Sequence, residues 1–406
     1  MADWLRGQST RELLTYPLWG YPALLAVIPE PWLRCVQVIL GASVVATAWV
    51  RWRDVTRSPG ALLLMLVGAM PWYALCAGMW PTGISAAFTM LGVLALERAV
   101  TMSRMPIALW SGIAFGLAGN MRSEVQALPA VLVLVIWIVE PRPRDRRLRY
   151  GLVSAVVAFG MLLPWAFHYR SHTGHFSTTA SNSGQVAFIS LGQLPNNPWG
   201  IKHDDGEADR ALVARGSVSN PLSDAGDREL RHAFFEAVET YPGAYARKVL
   251  HNLRSILMGG FYVGSLPCAP DAALRIDVLR ERIKLKLGLN PNEREIADYH
   301  ARGIWDTTNV RIQDVLSLMW QVTGTGVGVV LILLALIGAL TAVRRFRAEL
   351  TLSLAGATIA GQLAVCALLQ YQPRHVTVVY LPLALFAAEA LVTLSAFVAK
   401  TRIGLR

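Results

Sequence analysis

The chain has 406 residues, of which 54% are hydrophobic and 16% charged, with 38 Lys and Arg against 27 Asp and Glu and a net charge of +11. Its mean hydropathy is +0.41, and soluble proteins average about 45–50% apolar and about 25% charged, so the composition excludes an ordinary soluble domain and describes an all-α polytopic membrane protein. The positive excess does not point to nucleic acid: residues 171–315 hold 16 Lys and Arg against 17 Asp and Glu, and the remaining 22 against 10 fall in short loops between apolar stretches, the pattern of cytoplasmic loops.

Taken in chain order, an N-terminal segment (1–31) precedes apolar stretches near 32–50, 59–78, 83–100, 106–121, 125–140 and 151–169; a polar segment (171–315) follows, and then stretches near 316–342, 350–370 and 376–399. With about 20 apolar residues needed per crossing, this makes about nine spans, about six in a first bundle section (32–170) and about three in a last section with a tail (316–406). Alternate loops collect the arginines: RWRDVTR (51–57), Arg104, PRPRDRRLR (141–149), RRFR (344–347) and the KTRIGLR tail. These loops are expected to be cytoplasmic, with the C-terminus. The other side then holds the N-terminal segment, the 171–315 segment and the apex of AGNMRSEVQALPA (118–130). Of the four cysteines, Cys35, Cys76 and Cys366 fall in apolar stretches and only Cys268 in the polar segment, which excludes a disulfide framework or a CxxC metal site.

Three arginines break the charge rule. Arg122, Arg170 and Arg374 lie at span ends on the non-cytoplasmic side. Snorkelling, or pairing with Glu124, would account for each alone; together they suit an anion at the membrane face, since a guanidinium fork matches phosphate geometry. Glu97 and Glu389 are the only acidic residues well inside apolar stretches, and Glu97 is expected to pair with its neighbour Arg98.

The 171–315 segment carries amphipathic patterns over 223–239, 244–258, 272–287 and 293–300, which predicts a small helical layer on the membrane. All eight histidines fall on this side or at its edge. His168, His172 and His175 cluster with spacings of four and three, but Gly174 and the Ser/Thr run after it end the helix, and no carboxylate completes a metal set.

The order of these features resembles the polyprenyl-phosphate-sugar-dependent glycosyltransferases of the GT-C fold, in the dolichyl-phosphate-mannose protein mannosyltransferase-like group. The resemblance covers nearly the whole chain and rests on GYPALLAVIPEP (20–31), the Arg122–Glu124 apex, PWAFHYR (164–170), STTASNSGQ (177–185), YPGAYARKVLHNL (241–253) and YQPRHVTVVYLPLA (371–384). It implies transfer of a sugar from a polyprenyl-phosphate-linked donor to a glycan, lipid or protein acceptor on the outer face of a membrane, here a bacterial plasma membrane. Such chemistry requires a carboxylate to deprotonate the acceptor and cations to stabilise the departing lipid phosphate. The resemblance assigns lipid-phosphate binding to Arg122, Arg170, Arg374 and His375, and sugar or acceptor binding to Asn182, Gln185 and Trp165, with Trp199 as a second aromatic. It implies no cofactor beyond, at most, a divalent cation. The family's catalytic Asp precedes a helix that MADWLRG (1–7) resembles, so the chain is expected to start after that residue, with Asp3 as the substitute base beside Glu12 and Glu30. At MWPTG (79–83) Pro81 and Thr82 stand where relatives carry Glu. The alternatives are a noncatalytic binder of lipid-linked sugar, a transporter or flippase, which would need charges midway along spans and internal repeats, and a membrane sugar polymerase or ligase.

Overall fold

The computed structural model describes residues 18, 20–56, 81–139, 144–217, 219–258, 272–287, 293–307, 312–342, 349–370 and 377–404. Among them there is no strand. The first bundle section contains α1 (Gly20–Val27), α2 (Glu30–Thr56), α3 (Pro81–Met102), α4 (Met105–Met121), α5 (Leu128–Val139), α6 (Arg144–Gly160) and α7 (Leu163–Thr173). A helical layer follows: α8 (Ser183–Ser190), α9 (Gly206–Ala214), α10 (Asp224–Thr240), α11 (Pro242–Met258), α12 (Ala272–Lys286), α13 (Glu293–Ala301) and the single turn α14 (Ile304–Thr307). The chain returns through α15 (Ile312–Ala342), α16 (Leu350–Leu368) and α17 (Thr377–Gly404).

Five helices are long and apolar enough to cross a membrane: Glu30–Trp52, Pro81–Met102, the α6–α7 run Arg147–Thr173, Leu350–Leu368 and Val378–Ala396. The chain is an integral membrane protein. Three more apolar helices are shorter, Met105–Met121, Ser123–Val139 and Gly328–Thr341, so eight of the expected spans correspond to apolar helices and the one at 59–78 lies outside the described residues. The shortness of α4 and α5 has a local cause. Arg122 takes an extended conformation (φ −148°, ψ 121°), which ends α4, and one turn of 3₁₀ helix (Ser123–Val125) reverses the chain before α5 begins. This turn defines the apex end of the bundle; Arg51, Arg98, Arg104, Arg147 and Arg149 belong to the opposite end.

Between helices the bundle is held by close approach and a few interior hydrogen bonds. The Ser111 hydroxyl reaches the Gly92 carbonyl and the Ser154 hydroxyl, both at 2.8 Å, joining α4 to α3 and α6. Beside it, a Cβ on Gly112 would lie 2.6 Å from the Ser154 carbonyl oxygen, so only glycine lets α4 and α6 approach this far, as small residues do between helices in lipid. One core cluster, around Trp52, Met90, Tyr380 and Phe386, joins α2, α3 and α17 with α15 and α16. A second, around Phe115, Leu132, Tyr150 and Leu354, fills the space between α3 to α6 and α16.

At the opposite end a buried ion pair replaces the expected one. Glu97 is 4% exposed and meets Arg51 of α2 at 3.1 Å and the Thr351 hydroxyl of α16 at 2.8 Å, whereas Arg98 is exposed with its Nε 3.3 Å from the Met102 sulfur. Adjacent residues on a helix point about 100° apart, so Glu97 turns into the bundle and Arg98 turns away from it.

The layer has its own core, in which Phe188, Leu191, Leu212, Leu230 and Phe234 are buried and Trp199 and Tyr245 pack against them. The amphipathic patterns appear as α10 to α13, with ends within two residues of expectation. The N-terminus of α10 is capped by the Ser223 hydroxyl, which accepts from the Gly226 amide at 3.1 Å, and Asp224 and Asp227 in its first turn suit the positive end of the helix dipole. Pro242 then starts α11, where the missing N–H costs nothing. The layer docks on the bundle through α11 against α16 and α12 against α15.

Candidate functional site at the apex end

The apex pair is an ion pair. The Arg122 Nε donates to the Glu124 carboxylate, and its Nη1 donates to the Thr82 hydroxyl at 2.6 Å in the first turn of α3. Both side chains are largely shielded, at 17% and 18% exposure. A guanidinium carries five N–H donors; the remaining three make no hydrogen bond among the described residues. Arg122 is therefore a cation fixed in position by Glu124 and Thr82 that keeps donors to offer an anion.

The segment after α7 folds back over this apex. The Gln126 amide donates to the carbonyls of Gly119 (3.0 Å) and Thr178 (2.9 Å) and its oxygen accepts from the Thr178 hydroxyl (3.1 Å). One residue on, the Trp165 indole N–H donates to the Thr179 carbonyl at 3.2 Å, and the Ser181 hydroxyl reaches the Leu222 carbonyl at 2.6 Å. This strip thus links the apex turn, α7 and the start of α10. Where the layer meets α7, the Tyr169 hydroxyl donates to Asp224 at 2.7 Å, and Arg228 (3.1 Å) and His175 (4.0 Å) flank the same carboxylate.

Among the described residues of the layer Asp227, Lys248 and Glu281 are buried ionisable groups, and the first two bear on how it is held. Asp227 is 1% exposed and accepts from the Gly184 amide, the Ser183 hydroxyl and Arg231, which caps the N-terminus of α8 from a neighbouring helix. Burial raises its pKa against the lowering effect of those donors. Gly184 is required there, because a Cβ would lie 2.0 Å from the Asp227 carbonyl oxygen. Lys248 is fully buried on α11. Its ammonium donates to the Leu368 carbonyl at 2.8 Å and to the Leu369 carbonyl, while the Tyr245 hydroxyl also reaches Leu368 (2.8 Å) and Asn252 reaches Ala367 (3.2 Å) and Gln193 (2.9 Å). These are the last carbonyls of α16, which a helix cannot satisfy itself; α11 satisfies them instead. Burial lowers the Lys248 pKa to about 7. His203, whose ring nitrogen sits 2.7 Å from the Gln370 amide nitrogen, is likewise lowered by burial.

The predicted site residues are distributed unevenly around this apex. Arg122 is at its centre. Trp165 is 2% exposed with its indole N–H already bonded, so it encloses the strip and offers no ring face for a ligand, and the Trp199 indole is bonded to the Ala237 carbonyl at 2.8 Å. Asn182 and Gln185, at the start of α8, are half-buried with no side-chain hydrogen bond among the described residues. Arg170 is exposed and does not meet Arg122. The Asn120 amide bonds the Met161 carbonyl at 2.9 Å, which sets the apex level with the α6–α7 junction, and Arg170 lies nine residues, about 13 Å, further along α7. Asp3, Arg374 and His375 lie outside the described residues, as does Glu12; α16 is in contact with the apex turn. The α7 helix ends at Gly174, whose φ of 78° closes it as expected. No group of three or more His, Cys, Asp or Glu able to hold a metal ion occurs among the described residues.

Gln126, Asp227 and Lys248 were not singled out by sequence, and Thr82 was marked only as standing where relatives carry Glu. Lys248 and Asn252 share the i, i+4 row of Ala244 and Ile256, the face that α11 buries, and polar residues on an otherwise apolar row are the signal that would have found them. No protein-family model, curated protein or solved structure matches the chain.

Proposed function

We propose that the chain is a membrane glycosyltransferase of GT-C type that moves a sugar from a polyprenyl-phosphate-linked donor to an acceptor at the apex end. The observation that carries this reading is the fixed Arg122 guanidinium, held by Glu124 and Thr82 at a helix break inside an apolar bundle, with three donors unused among the described residues. A phosphate on an isoprenoid is the anion that reaches such a place from within a bilayer, and a preoriented cation stabilises it as it leaves the sugar. Asn182 and Gln185 are the polar groups proposed for the sugar or acceptor. Arg374 and His375 complete the phosphate site, and Asp3 serves as acceptor base, on the strength of the family resemblance alone. The arginines of the opposite end support a cytoplasmic position for that end, with the apex on the outer face and the C-terminal end of α17 inside; the bacterial plasma membrane is proposed on the family resemblance alone.

The test is binding and transfer by the full chain in lipid nanodiscs, with radiolabelled polyprenyl-phosphate mannose and glucose as donors. The chain is expected to bind polyprenyl phosphate, and Arg122→Gln to weaken binding at least about tenfold, the loss typical of a charge-assisted contact, while the variant still inserts. Failure of the parent to bind any polyprenyl phosphate, or unchanged binding by Arg122→Gln, would remove the phosphate assignment and the sugar-transfer reading with it.

A further inference from the structure

We infer that Arg170 holds the phosphate of a bilayer phospholipid at the edge of the bundle, a contact separate from the proposed sugar-transfer site and independent of that reading. On the α6–α7 run, Leu152, Val156, Phe159, Leu163 and Phe167 are all exposed, at 43% to 68%. Their spacing of four, three, four and four residues puts them within an arc of about 80° at 100° per residue, a single stripe. Such a row of exposed apolar side chains on a membrane-crossing helix faces acyl chains.

The stripe has an arginine at each end. Arg149 lies three residues before Leu152 and Arg170 three after Phe167; both are exposed and both fall in the same arc. They are 21 residues apart, about 32 Å at 1.5 Å per residue, against a hydrocarbon core of about 30 Å. The two guanidinium groups therefore mark the two headgroup levels. Arg149 is already engaged, donating to the Tyr150 hydroxyl at 2.8 Å with its guanidinium over the Tyr150 ring. Arg170 has no side-chain hydrogen bond or ion pair among the described residues, and the exposed ring of Phe176 stands edge-on to Phe167 at 5.9 Å beside it. A free planar fork at phosphate level, next to two aromatic rings at the acyl boundary, fits the bidentate geometry of a phosphate ester. Its place on the perimeter, about 13 Å along α7 from the level of the apex, selects the surrounding phospholipid as its source.

The probe is native mass spectrometry of the full chain released from detergent with either phosphatidylglycerol or a galactosyl diacylglycerol of the same chain length, which lacks phosphate. The parent is expected to retain phosphatidylglycerol about tenfold more strongly than the glycolipid, and Arg170→Gln to abolish the difference. Arg170→Lys, which keeps the charge and loses the fork, is expected to keep part of it, and it decides the question if the Gln variant fails to insert. Arg122→Gln is expected to leave the preference intact. A preference that survives in the Arg170 variants, or one that vanishes in Arg122→Gln, would overturn the assignment; loss of polyprenyl-phosphate binding in Arg122→Gln alone bears only on sugar transfer.

Discussion

Replacing Lys248 by Met keeps the length and apolar stem of the side chain and removes the group that ties α11 to the end of α16. Two terms compete. The Leu369 carbonyl loses a donor and Leu368 keeps only Tyr245, and a buried acceptor left without its partner costs about 1–3 kcal/mol. Against this, the ammonium is disfavoured by burial, with a pKa of about 7 in place of 10.5. The folded-state value is depressed, so the unfolded chain binds more protons throughout that window, and stability rises with pH from about 7 toward 10.5. Between pH 7 and 9 the Lys248 contribution grows by about 2 kcal/mol. The parent should therefore exceed Lys248→Met in stability at pH 9 by about the hydrogen-bond loss, with the gap closing or reversing at pH 7. Thermal unfolding of both proteins in nanodiscs, followed by tryptophan fluorescence at several pH values above neutrality, reads this directly. Staying above neutrality leaves out His203, whose lowered pKa makes stability fall only as the pH drops below about 6.5. Unfolding curves of parent and variant that shift in parallel with pH would refute the buried-amine argument.

Asp227→Asn should lower stability by about 1 kcal/mol, because the Asn Nδ2 turns a donor toward Arg231 and Ser183 where the carboxylate accepts, while removal of the buried charge offsets part of the loss; the fall in unfolding temperature checks it. Arg51→Met should cost about 3–5 kcal/mol by leaving Glu97 buried without its cation, and Arg51→Met with Glu97→Leu should recover most of the loss, since an apolar pair carries no desolvation penalty. A double variant no better than the single one would mean that the pair contributes through its attraction and not through mutual neutralisation.

The parts of the fold that were readable in sequence are those governed by a one-dimensional rule. A bilayer demands runs of about 20 apolar residues, and α2, α3, α16 and α17 follow that rule. Amphipathic spacing located α10 to α13 nearly to the residue. The apex was visible because two charges interrupt an apolar run, yet nothing local says that Thr82, 40 residues earlier, is the partner of Arg122. Asp227 and Arg231 look like an ordinary surface i, i+4 pair, and only packing of α8 on α10 buries the carboxylate. The same limit hid Glu97 and Arg51, which are 46 residues apart and meet through the packing of α2 on α3. Helices α8 and α9 were missed because at eight and nine residues they are too short for periodicity to stand out.

The level of the apex has a consequence for the lipid around it. Asn120 lies opposite Met161, and α5 at 12 residues is about 18 Å long, so Arg122 and Glu124 are sunk well beneath the plane marked by Arg170. Charges at that depth draw the polar surface down to meet them. The leaflet on this side should dimple next to α4 and α5, which brings the polar surface down toward Arg122 and shortens the path a carrier phosphate must travel through hydrocarbon.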